Sequence, residues 1–298
     1  MSLFDQLVDE AIKNQQHLVP LRMVVEKELL HHDILRVLSG SGLLARLTFI
    51  GGTCLRACYG SHRLSEDLDF TGGAEFSRDS LSAMAQVLKG SLMDKYGLDV
   101  EVSEPTREAG NVDTWKIKIQ TRPNRKNFPA QRINIDVCAI PSYLPCPVML
   151  LNPYGVEMGT SGLILQAESR VEIFMDKVVE FTLRPNRIKN RDLWDLAWLH
   201  QQGVNPQMDL VLPKIKDHHS EPEQFMKLFD ERRQLLQTDS NVAGAFRQEM
   251  RRFLPADLVT QTVESEGFWL FLIGLMNDLF VQISGHLSGQ RKEQKFSM

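Results

Sequence analysis

Phe49-Ile50-Gly51-Gly52-Thr53, followed after one short segment by Ser65-Glu66-Asp67-Leu68-Asp69-Phe70, is the stretch of this 298-residue chain whose reading decides the fold. The apolar run Leu47 to Ile50 stops at a glycine pair, which marks the end of a strand. Thr53 to Tyr59 reads as one or two helical turns, and Ser65 to Phe70 as a second strand closed by Thr71-Gly72-Gly73. Two apart on a strand, Asp67 and Asp69 send their carboxylates to the same face. Like charges that close repel, and a hard divalent cation relieves them; Mg²⁺ suits one or two carboxylates plus substrate phosphates. Gly51 and Gly52 supply the complement, since a helix that opens on glycines presents bare N–H groups and a positive end to a phosphate.

Working outward, the first forty residues carry helical periodicity, ending at Ser39-Gly40-Ser41-Gly42. Ser77 to Tyr96 reads as a helix, and Asp99 to Val102 as a short strand. Trp115 to Thr121 and Arg132 to Ile140 alternate as half-buried strands. In the second of these Ile133, Ile135 and Val137 face one way, and Asn134, Asp136 and Cys138 the other. Asp136 is thereby a third candidate acid, either facing solvent or completing a two-metal phosphoryl-transfer site. The proline-rich residues 141–153 read as a linker. From about Ala167 the pattern is helical to the end, with Val171, Phe174, Met175, Val178 and Thr182 on one face. The expected architecture is α+β: a domain over residues 1–150 with a mixed sheet and N-terminal helices, then an all-helical domain over 151–298.

Composition narrows the classes of function. With 34 Lys+Arg against 38 Asp+Glu the formal charge is −4, which excludes a uniformly basic nucleic-acid binder and leaves only local basic patches for such contacts. The longest apolar run, Phe268 to Met276, is broken by Asn277 and Asp278 and reads as a core helix rather than a membrane span. The first residues lack the basic and apolar regions of a signal peptide. Cys54, Cys58, Cys138 and Cys146 form no CxxC pair, consistent with a reducing, cytoplasmic setting.

The ordered combination of Gly51-Gly52-Thr53-Cys54-Leu55-Arg56 with Arg63-Leu64-Ser65-Glu66-Asp67-Leu68-Asp69-Phe70 resembles the signature of the AbiEii/AbiGii-type nucleotidyltransferase toxins, within the polymerase-β-like nucleotidyltransferase superfamily. A second, looser likeness lies in Lys177 and in Arg191-Asp192-Leu193-Trp194-Asp195, so the resemblance spans roughly residues 45 to 200. One departure is Gly-Gly where the superfamily often has Gly-Ser. The resemblance implies that Asp67 and Asp69 bind Mg²⁺ or Mn²⁺, that Gly52 and Thr53 touch NTP phosphates, and that Lys177 and Asp192 belong to the active site. On their residue types alone, Lys177 reads equally as a solvated surface lysine and Asp192 as a first-turn helix acid. The resemblance further implies transfer of an NMP to an acceptor hydroxyl, an RNA and in particular a tRNA 3′ end, by the toxin of a toxin–antitoxin pair whose antitoxin is encoded by a neighbouring gene. A protein or small-molecule acceptor, or a silent nucleotide-binding module, is the alternative.

The remaining features are less specific. Arg56 and Arg63 flank the acidic motif and suit a triphosphate, or pair with Glu66. Arg122, Arg125, Lys126 and Arg132 in one region, and Arg184, Arg187, Lys189 and Arg191 in another, suit RNA phosphates or simply solvent. His31-His32 and His218-His219 lack the i, i+4 spacing of helical metal ligands.

Overall fold

The computed structural model describes residues 2–106, 111–122 and 129–296, from residue 290 onward as backbone only. The chain divides into two compact units, Met1–Glu168 and Ser169–Met298.

The first unit is a seven-stranded mixed sheet with the order β3-β4-β5-β2-β1-β7-β6. Its strands are β1 (Thr48–Ile50), β2 (Leu68–Thr71), β3 (Val100–Ser103), β4 (Val112–Ile119), β5 (Gln131–Cys138), β6 (Pro145–Met149) and β7 (Ile164–Glu168). β2–β5 and β1–β7 are parallel; the other neighbours are antiparallel. Its helices are α1 (Leu3–Asn14), α2 (Arg22–Gly40), α3 (Gly51–Tyr59) and α4 (Met84–Tyr96). Ser2 and Asp5 start α1 with a reciprocal capping box. α3 ends on Gly60 in the left-handed conformation, which a residue without Cβ adopts at little cost.

The alternation read from β4 and β5 holds. Trp115, Ile117, Ile119, Ile133, Ile135 and Val137 are buried, while Thr114, Asn134 and Asp136 between them are half-buried. Cross-strand Phe49 and Phe70 lie on the buried side, ring centroids 5.1 Å apart, so their neighbours Ile50 and Asp69 lie on the other.

Three expectations change. Residues 141–153 are not a linker, because Pro145–Met149 is strand β6, with its prolines on an edge strand where a missing N–H is tolerated. The first unit consequently extends to Glu168, eighteen residues beyond 150, since the β6–β7 hairpin joins the sheet through β1. The second strand opens at Leu68, so Asp67 lies in the bend before it.

The largest unforeseen feature is α2. Glu26, Glu28, His31, His32 and Asp33 are all buried, and each has a partner. Glu26 accepts from Arg122 and Gln131. Glu28 accepts from Arg56 (3.0 Å), from the Ser65 backbone N–H (2.8 Å) and from the Tyr154 hydroxyl. Asp33 accepts from Lys95 and Tyr96, both at 2.6 Å. His32 Nδ1 meets Thr160 Oγ1 at 3.2 Å. Buried charges are tolerated when paired in this way, and removing one partner costs about 3–5 kcal/mol.

The second unit is helical throughout its described residues: α5 (Arg170–Leu183), α6 (Asn190–Gln201), α7 (Val211–Asp217), α8 (Pro222–Thr238), α9 (Ser240–Met250), α10 (Ala256–Leu258) and α11 (Glu266–Phe296). Phe181, Phe225 and Phe229 form an aromatic core joining α5 and α8, and Phe246 of α9 packs against Phe268 and Trp269 of α11. Glu266–Gly289 of α11 is long and apolar enough to cross a membrane by length and composition, with mean hydropathy 1.4. Leu272, Leu275, Met276, Leu279, Ile283 and Leu287 nevertheless form one buried stripe, and Asn277 accepts from Arg233 of α8, as befits a core helix.

Burial holds the pKa of His32 down at about 4, against the usual 6.5. The unfolded chain therefore binds a proton between these values that the folded chain refuses. Stability is expected to be full above pH 6.5 and to fall by about 3 kcal/mol as pH drops to 4. Urea denaturation across this range should show the slope, and His32→Gln should reduce it, the remainder coming from His31, whose pKa burial also lowers.

Candidate active site

The site is assembled by strand register. In the parallel pair, Asp69 of β2 stands opposite Asp136 of β5. Adjacent strands are about 4.8 Å apart, so the two carboxylates leave one face as close neighbours. Asp67 reaches the same place from the bend, where its Oδ1 accepts the Asn134 backbone N–H at 3.0 Å. The sequence thus placed Asp67 in the right company but in the wrong element. Its carboxylate is anchored by β5 rather than by alternation along β2.

Gly51 lies directly behind Asp69. Its φ is +76°, and a Cβ built there would lie 3.0 Å from Asp69 Oδ2. Both the left-handed backbone and the close approach require glycine. α3 begins at this residue and no side chain caps it, so the N–H groups of its first turn face the acidic centre's end of β1. Gly51 and Gly52 therefore occupy the position expected of a phosphate cradle.

Thr53 has a different place. Its hydroxyl lies 2.6 Å from Ser65 Oγ and donates to the Asp67 carbonyl, and the residue is buried. Its side chain fixes the bend carrying Asp67, leaving the backbone N–H for the helix end. Arg56 is also turned inward. It donates to Glu28, to the Ser61 carbonyl (2.9 Å) and to Tyr154 (3.4 Å). Burial pulls its pKa down, but Glu28 and Tyr154 outweigh this and hold it above the ordinary value. Arg63 is buried and donates to the Leu64 carbonyl at 3.2 Å. Glu66 pairs with Lys27 at 2.9 Å.

Glu28, His31 and Tyr154 are the residues that sequence reasoning missed. Glu28 takes the Ser65 N–H, and His31 Nε2 lies 3.1 Å from the Glu66 carbonyl, so α2 grips the acidic bend from behind. A signal existed: the apolar residues of α2 fall on every side of the helix rather than along one stripe, which marks a helix buried nearly all round. Cys54, next in the motif, is buried and its thiol is pushed well up by burial, so it is core.

The second motif closes within the second unit. Lys177 of α5 donates to Asp192 of α6 at 3.0 Å and to Glu180 at 2.8 Å. Lys177 and Asp192 are both buried. Burial opposes the lysine's charge, but Asp192 and Glu180 keep it protonated with a raised pKa. Arg184 and Lys189 stand 3.7 and 4.0 Å from Asp192. Arg191 lies 3.3 Å from Glu249, and Lys214 ties Glu172 to Asp176. Of the basic residues considered for RNA, Arg122 is held by Glu26 and Asp5, Arg132 and Arg187 are exposed, and Arg125 and Lys126 lie outside the described residues.

A family model described as "Nucleotidyl transferase AbiEii toxin, Type IV TA system" matches residues 33–268. Among solved structures, the nucleotidyltransferase toxin MenT4 from Mycobacterium tuberculosis is similar at 19% identity, covering 68% of this chain and 67% of its own, with a TM-score of 0.49. JHP933 from Helicobacter pylori is similar at 14% identity, covering 90% and 98%, with a TM-score of 0.48. No curated protein matches.

The geometry behind Asp69 can be measured by paired substitutions. Gly73 has φ +75° with open space around it, whereas Gly51 has φ +76° against Asp69. Gly73→Ala should cost about 1–2 kcal/mol of backbone strain alone. Gly51→Ala should cost more in urea denaturation, the excess being the displacement of the carboxylate. Equal costs would show that Asp69 yields freely.

Proposed function

Since the chain belongs to the AbiEii family of nucleotidyl transferase toxins, of Type IV toxin–antitoxin systems, we propose that it moves a nucleoside monophosphate from an NTP to the 3′ hydroxyl of an RNA, tRNA being the acceptor class. The observation that carries this is the register pairing Asp69 with Asp136, beside the uncapped start of α3 at Gly51.

Asp67, Asp69 and Asp136 form an all-oxygen donor set that suits Mg²⁺ or Mn²⁺. The fit is supported by Gly51, which leaves no room for a side chain where Asp69 turns. Such an ion, when bound, supplies neutralisation of phosphate charge. The protein's own groups do the rest. The N–H groups of Gly51, Gly52 and Thr53 hold the triphosphate. Asp136 takes the proton of the acceptor hydroxyl. The acceptor oxygen bonds to the α-phosphorus, the bond from that phosphorus to the bridging oxygen breaks, and pyrophosphate leaves. Arg56 and Arg63 act as positioning residues, holding the segment that leads into the acidic bend.

Lys177 and Asp192 enter the proposal as one unit from the second half of the chain. Their pairing supports a lysine held at fixed position and charge, able to offset phosphate charge as a point cation. An antitoxin from a neighbouring gene completes the biological setting.

The test is incubation of the protein with each labelled NTP, a divalent cation and total RNA. Label on tRNA 3′ ends is the expected result; label only on protein or a small molecule would replace the acceptor. Asp69→Asn should lower transfer at least about 100-fold, or roughly 2.7 kcal/mol, with no loss of melting temperature because one of two repelling charges is gone. For the second half, Lys177→Met removes the nearest cation from buried Asp192, leaving Arg184 and Lys189 farther off, and should cost up to about 3–5 kcal/mol of stability. Adding Asn at Asp192 should restore most of it. A folded double variant with normal transfer would confine the pair to a structural role.

A further inference from the structure

We propose that the open polar face of β4 and β5 is the track along which the single-stranded acceptor end of the RNA reaches the carboxylates, with Lys116 and Arg132 as its phosphate contacts. The proposal rests on the RNA reading above and specifies where that substrate lies.

Register defines the track. Thr114 stands opposite Asp136, Lys116 opposite Asn134, and Lys118 opposite Arg132. Alternate residues of a strand share a face. Two files therefore run away from Asp136 on the face of Asp69, one through Asn134 to Arg132 and one through Thr114 and Lys116 to Lys118. The opposite face of the same strands is packed as core.

The charges on this face differ from those elsewhere. Lys116 and Arg132 are exposed, and no carboxylate among the described residues pairs with either. Lys118 is shared with Glu101 at 3.0 Å. By contrast, Arg122 is committed to Glu26 and Arg184 faces Glu180 and Asp192. The free cations of the first unit's sheet thus stand one and two alternate steps from the acidic centre. Each step is about 7 Å, comparable with one nucleotide of an extended strand. A polyanion fits this spacing, and a sheet face suits unstacked single-stranded RNA better than a duplex.

Space is also present. A cavity of ≈ 510 Å³ opens at Thr114 and Lys116 and is bounded by Ser103, Glu104, Pro105, Thr106 and Val112, the Glu104 carboxylate suiting a sugar hydroxyl rather than a phosphate. Its size lies within the range that holds a nucleotide-sized ligand. Its hydroxyls and amine offer hydrogen bonds to sugar and phosphate.

The experiment is steady-state transfer by the full chain, with unfractionated tRNA and labelled NTP, over about 50 to 200 mM salt. Lys116→Glu combined with Arg132→Glu should raise the KM for tRNA at least about tenfold and leave the KM for NTP unchanged. Two lost phosphate contacts should make the log–log salt slope shallower by about 1.4. Lys89→Glu with Lys227→Glu makes the same change in net charge at exposed helical positions and should alter neither. An unchanged tRNA KM and slope in the sheet variant, or an equal loss in the helical control, overturns the track while tRNA labelling by the unaltered protein leaves the RNA reading standing. If the unaltered protein labels no RNA, the RNA reading fails and the track with it. Both sheet positions are exposed, and an unchanged melting temperature with the unchanged KM for NTP confirms that the variant is folded.

Discussion

Two carboxylates on adjacent strands, Asp69 against Asp136, are the constraint around which the first unit is built. Parallel pairing sets their backbones one strand spacing apart, so the two like charges are neighbours on one face. A third, Asp67, is drawn in by an N–H of the same strand. Like charges held this close repel, and the backbone must hold them in place. The cluster persists because the backbone around it is over-determined: Gly51 closes one side, the Thr53 and Ser65 hydroxyls lock the bend, and Glu28 holds the bend's backbone from within. The gathering of carboxylates at one end of β1 is what the proposed cation and triphosphate site rests on.

Behind that centre lies a second layer of charge with the opposite character. The buried groups of α2 are matched one by one: Glu28 with Arg56, Asp33 with Lys95, Glu26 with Arg122. A buried pair contributes little net stability compared with a well-packed apolar one, but a broken pair is costly. The arrangement therefore gains position rather than free energy. Glu28 can accept from Arg56, Ser65 and Tyr154 together only in one geometry, and that geometry sets where the acidic bend sits. The Lys177–Asp192 pair repeats the principle in the helical unit.

Where local pattern determines structure, the sequence was legible. β4 and β5 alternate because one face is core and the other is not. Ile133, Ile135 and Val137 read correctly from their spacing, as did Asp136 on the opposite face. The strand–Gly-Gly–helix turn was legible because only glycine tolerates it. The misreadings share another cause. Asp67 reads as a strand residue because Asp-x-Asp fits a period of two, yet the strand ladder starts one residue later and a long-range N–H holds the side chain. Residues 141–153 read as linker because proline disfavours strands, and the edge position that permits it is a property of the assembled sheet. Arg56 reads as a substrate-facing cation because its partner Glu28 lies 28 positions away in the chain. A charged residue's partner is set by tertiary structure, and no spacing rule reaches it.

The same distinction governs what net charge can say. A formal charge of −4 argues against non-specific attraction to nucleic acid over long distances. Salt screens exposed charges beyond about 8 Å at physiological ionic strength. Acidic residues far from the sheet face therefore contribute little to the potential there. Arg132 stands two alternate steps along β5 from Asp136, and Lys116 lies one step away on the neighbouring strand. At such distances the cations and the carboxylates both act on a bound phosphate chain, one attracting and the other repelling until the acidic centre is neutralised. Electrostatics of this kind favours a polyanion that lies along the strands with its end, rather than its middle, at the carboxylates. For the acceptor proposed above, that places a terminal rather than an internal hydroxyl at the carboxylates, through a few charges on two strands rather than the charge of the whole protein.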